Sequence, residues 1–473
     1  MGAVKNMNKI MKVMIYIGVI IILIGGVWMC FDLGQVFKKT AYTGNEIAKH
    51  VIMISLDGVY EADFDNLMQR PVFLELINRG AYSNQVTTVY PTLTYPIHTS
   101  IVTGTTPDKH GIYHNHQLQV GVPIKNQTWY WYQDEVKVPS LFDKLAQHQF
   151  VTASILWPVT GRGNITYNIP EIIALAGENQ ATKLLESGTP MYLVKSYLKY
   201  GKILGDGTQP KLDQFSTAVA VDTIKSKKPN LLAIHLISVD HFRHDFGVES
   251  IESVKAFNVY EQSVMEIVEA VKEAGYYDDT VFVVTSDHGQ MDVHQNVYLN
   301  NVLKRAGYIT ETEDGLDYKA YVQSLGLGAY VYIKDHDSVI KKEVMTLLRS
   351  VMQDPTYGIE TIYTVNDLKR LHASSDVDIA IEAKAGYQFK DDLTSKDVKS
   401  NFTKGNHGYS PLKAGYKTIV MISGVGIKNQ FEMGNISVMD IAPTIASILG
   451  LDFYDCDGRV LNEIFEEGEK ENE

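Results

Sequence analysis

Three short segments of this chain, residues 51–56, 231–237 and 281–285, are apolar at nearly every position rather than at every second one. Strands buried on both faces read this way, and such strands belong to the parallel sheets of α/β proteins. Between the last two, residues 252–274 carry Phe257, Tyr260, Val264, Ile267 and Val271 on one helical stripe, with Gly275 as the stop. Strand, helix, strand is the crossover unit of a parallel sheet. Ser140 is placed to cap a helix over 141–147, and a strand over 151–156 follows; further on, 418–422 reads as a strand and 438–449 as a helix closed by Gly450. Residues 300–387 differ, with an alternating strand at 329–333, a helix near 340–352 and a strand near 359–364. The pattern predicts an α/β fold, a mostly parallel central sheet with helices on both faces, carrying a small inserted α+β subdomain.

The first residues carry a different signal. Lys5, Lys9 and Lys12 precede an uncharged run over 13–31 that Asp32 ends, which is the near-minimal length of one membrane-spanning helix. Lysines on the cytoplasmic side orient it so that the chain beyond Lys38 is extracellular. The division expected is a cytoplasmic segment 1–12, a signal anchor 13–31, a polar linker over 38–49, a main domain 49–465 and an acidic tail 466–473. A cleaved signal peptide is the competing reading, because Gly25 and Gly26 supply small residues near the end of the run. Either way the main domain is exported. It holds one cysteine, Cys456, so it has no internal disulfide, and a bacterial surface suits that usage better than an animal one.

Composition narrows the partners. With 473 residues, 45% of them hydrophobic, the chain can bury a large core. A net charge of -13 argues against a nucleic-acid polymer, whose phosphates are bound by excess Lys and Arg. Small anionic substrates stay open, because a bound cation reverses the field locally.

The candidate chemistry clusters at the ends of the predicted strands. Asp57 follows the first, Asp240 and His244 the second, Asp287 and His288 the third, while His407 lies beyond the insertion. Carboxylates and imidazoles are the donors a catalytic zinc takes, and manganese shares that preference. Each alone has a plainer explanation: Asp57 as a turn residue, Asp240 with His244 as a surface ion pair. Four residues apart after a strand, that pair also suits chelation from one helical turn. In residues 90–104, Pro91 and Pro96 bracket Thr94 in a rigid turn before an apolar helix over 97–102. A threonine hydroxyl there can bind metal as an alkoxide and attack as a nucleophile, with Thr92 as the rival and helix capping as the alternative for both. Asn115 can offer an amide to a phosphoryl oxygen.

These segments resemble the nucleotide pyrophosphatase/phosphodiesterase (type I phosphodiesterase) family of the alkaline phosphatase superfamily, in its bacterial branch. The resemblance runs from Val51 to about Phe465 on seven blocks in order: Leu56-Asp57-Gly58; Pro91-Thr92-Leu93-Thr94-Tyr95-Pro96; His110-Gly111 with Asn115; Trp157-Pro158-Val159-Thr160 with Pro170-Glu171; Ser286-Asp287-His288-Gly289; Asn406-His407-Gly408; and Asp440-Ile441-Ala442-Pro443-Thr444. It implies two zinc ions, one held by Asp240, His244 and His407 to activate water and one by Asp57, Asp287 and His288 to activate Thr94. It implies Thr94 as nucleophile, with a phosphothreonine intermediate, and Tyr95 and Asn115 as substrate-binding residues, the tyrosine packing on a nucleobase. The chain departs from the family's pattern at Val239 and Arg243, and Arg243 is expected to reach the substrate rim.

The expected function is that of an exported hydrolase of small phosphodiesters or nucleotides. No arginine occurs between Tyr82 and Asn115 to neutralise the extra charge of a monoester. The aromatic run 129–132 can line the entrance or serve as a flap over the core. The same site would serve a cell-envelope phosphoalcohol transferase or a phosphonoacetate hydrolase, while a non-catalytic surface binding module is disfavoured. The sequence leaves the oligomeric state open.

Overall fold

The computed structural model describes residues 44–313 and 315–466. The anchor expected at 13–31, the segment before it and nearly all of the acidic tail lie outside these residues. No helix among those described is long and apolar enough to cross a membrane.

Strands β1 (His50–Leu56), β2 (Gly80–Thr87), β3 (Thr152–Ile155), β4 (Tyr167–Ile169), β5 (Leu231–Leu236) and β6 (Thr280–Thr285) build most of one nine-stranded sheet. Five of them, in the order β4-β3-β5-β1-β6, are parallel; Thr418–Gly424 then runs antiparallel between β6 and β2. The pleat sends alternate residues of β1 to opposite layers. Ile52, Ile54 and Leu56 pack with residues of Pro71–Asn78, Lys211–Lys227 and Ile251–Ala274. Val51 and Met53 pack with Ile97, Leu141 and Ile445 from Thr94–Thr103, Leu141–Gln147 and Ile441–Ile448. Both faces are therefore covered, which explains the continuous apolar runs; each fully buried aliphatic side chain contributes roughly 1.5–3 kcal/mol.

Besides the two-stranded pair Ile309–Thr312 and Gly315–Tyr318, residues after β6 form two smaller sheets. Ala320–Ser324, Gly328–Ile333, Ile379–Ala383 and Ile359–Tyr363 make a four-stranded antiparallel sheet, with Ser338–Met352 contributing Val344 and Leu348 to its core. Gly386–Phe389, Met291–Val297 and Val398–Asn406 make a three-stranded sheet. This second sheet matters for position: Met291 follows His288 by three residues, Asn406 precedes His407, and Met291 and Asn406 are partners in the ladder. A loop far along the chain is thereby brought back to the end of β6.

Candidate active site

β5, β1 and β6 are neighbours in register, Leu56 beside Leu236 and Ser55 beside Thr285, so the residues after each strand meet at one sheet edge. This is where open α/β sheets place their sites. The edge is cross-tied. Asp57 N–H donates to Leu236 O at 2.9 Å, and the Tyr260 hydroxyl lies 2.9 Å from both Asp57 O and Leu236 O. Gly58 has φ +77°, and a Cβ there would sit 2.9 Å from the Asp240 Cα, so only glycine lets the two turns approach.

Two groups of buried ligand atoms result, Asp57/Asp287/His288 and Asp240/His288/His407, each within 4.8 Å internally. His288 belongs to both. The resemblance assigns it to the first group alone and gives His244 to the second. His244 Nε2 is 3.4 Å from Asp240 Oδ1, one helical turn along Ser238–Phe246, but it lies outside these tighter groups. The donor set fits a cation. Asp57 Oδ1 and Asp287 Oδ2 are buried carboxylate oxygens with no hydrogen-bond partner among the described residues, a costly arrangement unless a positive charge faces them.

The imidazoles are oriented from behind. His407 Nδ1 donates to Thr92 O and His244 Nδ1 to Gly405 O, each at 2.9 Å, which leaves both Nε2 atoms for a ligand. His407 is pushed down to about 3 by burial and by His288, and His288 down to about 4, chiefly by burial. Both rings are thus neutral, the form that can bind a cation, and they stack with centroids 3.7 Å apart. Burial, then Asp240 and Asp287, raise the Asp57 carboxyl well above its usual range; burial also raises Asp287. At Asp240 burial opposes the charge, but the His244, His407 and His288 imidazoles prevail and hold the carboxyl below that range.

Thr94 is the first residue of its helix rather than part of a preceding turn, and its Oγ1 lies 3.2 Å from His288 Nε2. Thr92, the rival, is committed elsewhere: its hydroxyl donates to Tyr409 O at 2.9 Å and accepts from Gly408 N–H at 3.2 Å. Gly408 itself must be glycine, since with φ +93° an added Cβ would fall 1.7 Å from Leu325 O. Asn115 Oδ1 accepts from Tyr95 N–H at 3.0 Å, which sets the amide beside the start of the helix. Tyr95 is 1% exposed, packed with Ile112, Trp131, Val159 and Ile172 and tilted against Trp129 at 5.2 Å. Residues 129–132 pack onto that cluster, and a base could stack on Tyr95 only if they moved aside.

Arg243 corrects an expectation. It does not reach a substrate rim; it is 3% exposed and grips Asp63 with two nitrogens, at 2.9 and 2.6 Å, while also donating to Gly58 O at 2.5 Å. No local pattern signals this, because Asp63 lies 180 positions away. Arg243→Ala should cost about 3–5 kcal/mol of stability, because it strands a buried carboxylate. Chemical denaturation measures it, and a loss under about 1 kcal/mol would show that the pair does not hold this edge. Sequence reasoning also missed Gln290, which donates to Asp240 O at 3.1 Å and to its carboxylate, and His235, which lies 3.0 Å from Asp57 Oδ2. A histidine inside an otherwise apolar strand was the one available signal.

Known proteins of similar sequence and fold are phosphodiesterases and pyrophosphatases. Venom phosphodiesterase of Naja atra is 21% identical over 422 residues, covering 85% of this chain but 44% of its own length. Bis(5'-adenosyl)-triphosphatase ENPP4 of Bos taurus is 22% identical over 413 residues, covering 85% of this chain and 78% of its own. The chain thus spans less than half of the venom enzyme. Murine ectonucleotide pyrophosphatase/phosphodiesterase 5, solved as an inactive variant in complex with AMP, shares the fold with TM-score 0.64 at 18% identity, over 88% of this chain and 100% of that one. The profile of the type I phosphodiesterase / nucleotide pyrophosphatase family matches residues 51–410, a stretch running from β1 past His407, and the chain belongs to that family.

Proposed function

We propose that the chain is an exported phosphodiesterase/nucleotide pyrophosphatase that cleaves phosphodiester or pyrophosphate bonds of small substrates through a phosphothreonine intermediate at Thr94. The observation that carries this is the Thr94 hydroxyl 3.2 Å from His288, the residue shared by both ligand groups. Asp57, Asp287 and His288 would hold one zinc, and Asp240 and His407, with His244, the other; manganese would fit the same donors. Bound there, two such ions supply Lewis-acid stabilisation of the charge that develops on the phosphoryl oxygens. The names of the relatives, phosphodiesterases and a dinucleoside triphosphatase, support this substrate class. The lysine-flanked apolar run at 13–31 supports a membrane anchor with the catalytic domain outside the cell.

The chain's own part begins at the helix start. Thr94 Oγ forms a bond to phosphorus, the bond to the leaving oxygen breaks, and the proton lost by Thr94 ends on the released alcohol or phosphate. The Thr94 N–H, in the first helical turn, has no partner within the helix, and Asn115 is held beside the helix start by the bond from Tyr95 N–H to its Oδ1. Together they can hold the equatorial oxygens, a contact worth roughly 3 kcal/mol when preorganised. Water then attacks the phosphothreonine and restores the hydroxyl.

A monoester carries one more negative charge, and Arg243 is already spent on Asp63 and Gly58. Turnover of bis-p-nitrophenyl phosphate should therefore exceed that of p-nitrophenyl phosphate by at least about tenfold in kcat/KM, a difference of about 1.4 kcal/mol. A preference for the monoester would refute the diesterase reading. Turnover that appears only when an acceptor alcohol is added would replace hydrolysis by transfer.

A further inference from the structure

We propose that His235 and Glu171 are a positioning pair for Asp57, fixing which of its oxygens faces the cation; this rests on the metal-dependent reading above.

His235 lies inside β5, 1% exposed, in a strand whose other residues are Leu231, Leu232, Ala233, Ile234 and Leu236. An imidazole has no place in such a strand unless both ring nitrogens find partners, and here both find carboxylates. Nε2 lies 3.0 Å from Asp57 Oδ2 and Nδ1 3.3 Å from Glu171 Oε2. The commitment of Asp57 Oδ2 to His235 defines the other oxygen. Oδ1, buried and without a partner among the described residues, turns toward His288 Nε2 at 3.7 Å, inside the Asp57/Asp287/His288 group.

Glu171 supplies the second tie. It follows β4, and its Oε1 accepts from the Tyr95 hydroxyl at 3.3 Å. Tyr95 is the residue after Thr94. One side chain therefore links the carboxylate at the end of β1 to the helix that carries the candidate nucleophile, through His235 on one oxygen and Tyr95 on the other. The ring also packs against His98 at 4.4 Å, and His98 Nδ1 donates to Thr94 O at 2.8 Å, so its placement is braced from the same helix. Outer partners of this kind fix ligand geometry, and losing one typically weakens metal affinity about 10–100-fold.

The test uses the full chain loaded with Zn2+ and reads affinity for each ion by competition with a chromogenic chelator, beside metal content by mass spectrometry. His235→Ala should weaken one of the two ions about 10–100-fold and leave the other within about threefold of wild type. His235→Gln, which keeps a donor near Asp57, should recover part of that loss, and Glu171→Gln should show a smaller loss of the same ion. A purely structural pair would lower thermal stability without separating the two affinities. Unchanged affinity for both ions in His235→Ala, or in Glu171→Gln and His235→Gln if the alanine variant does not fold, overturns the proposal. Failure of the wild-type protein to bind two ions would instead overturn the metal reading on which it stands.

Discussion

Replacing Thr94 by alanine should lower turnover of a diester by about 10³-fold or more while leaving Zn2+ content and fold intact. The reason is that the hydroxyl does little else. Among the described residues its hydroxyl makes one hydrogen-bond contact, with His288 Nε2 at 3.2 Å, and the residue is 8% exposed at the head of its helix. The helix is secured by other groups: His98 holds the Thr94 carbonyl, the Thr99 hydroxyl donates to Tyr95 O and the Thr103 hydroxyl to Thr99 O, both at 2.8 Å. All three survive the substitution, and alanine is the better helix former, so the melting temperature should move by no more than a few degrees. Thr94→Ser keeps a hydroxyl at the same place and should stay within about tenfold of wild type. Thr92→Ala serves as the contrast. It removes the bonds to Tyr409 O and Gly408 N–H, so it should cost stability and disturb the His407 loop, with no specific loss of the phosphorylated intermediate. Rapid-quench trapping of phosphoprotein in wild type and its absence in Thr94→Ala completes the measurement. A Thr94→Ala enzyme that retains a tenth of the wild-type kcat would remove this residue from the chemistry.

How much of this was readable in the sequence depends on where each residue's partners lie. β1, β5 and β6 announced themselves because a strand covered on both faces admits almost no polar residue, and the acidic residue that ends each run is then conspicuous. β2 escaped notice because its Ser83, Asn84 and Gln85 look like a loop; the structure pairs the strand with Thr418–Gly424, gives the Ser83 hydroxyl the Gly434 carbonyl, and gives Gln85 the Glu61 carboxylate at 3.0 Å. Lys211–Lys227 escaped for a related reason. Its buried face includes Asp213, Ser216 and Thr217, which break an apolar stripe, yet Asp213 accepts from Ile237 and Ser238 N–H and so anchors the turn that carries Asp240. Polar residues that serve other elements are invisible to periodicity. The same holds at the site: Asp57, Asp240, Asp287, His288 and His407 could be picked out by local context, whereas the grouping of His288 with both neighbours, and the inward turn of Arg243, are consequences of pairings between distant segments. The three-stranded sheet beyond β6 was the missing link, since only its ladder shows why His407 returns beside His288.

That shared position makes His288→Ala the most damaging single ligand change. Its Nε2 is 3.2 Å from Asp287 Oδ2 and 3.7 Å from Asp57 Oδ1, and the ring lies flat on His407 with 13° between planes. An imidazole so placed is a donor to one group and a wall of the other. Removing it should weaken both Zn2+ ions, each by about 10–100-fold, where Asp57→Asn or His407→Ala should weaken chiefly one. Under the proposed two-metal mechanism the effects compound in catalysis, because both ions would act at the same phosphoryl group, so kcat/KM should fall by about 10³-fold or more, equivalent to about 4 kcal/mol of transition-state stabilisation. Thermal stability gives an independent reading. Saturating Zn2+ at a hundredfold excess over Kd should stabilise the wild-type fold by about 2.7 kcal/mol per ion, and that gain should shrink at both ions in His288→Ala. The comparison that decides is occupancy. If His288→Ala retains one ion at wild-type affinity and loses the other, His288 serves a single group, as the family resemblance implies.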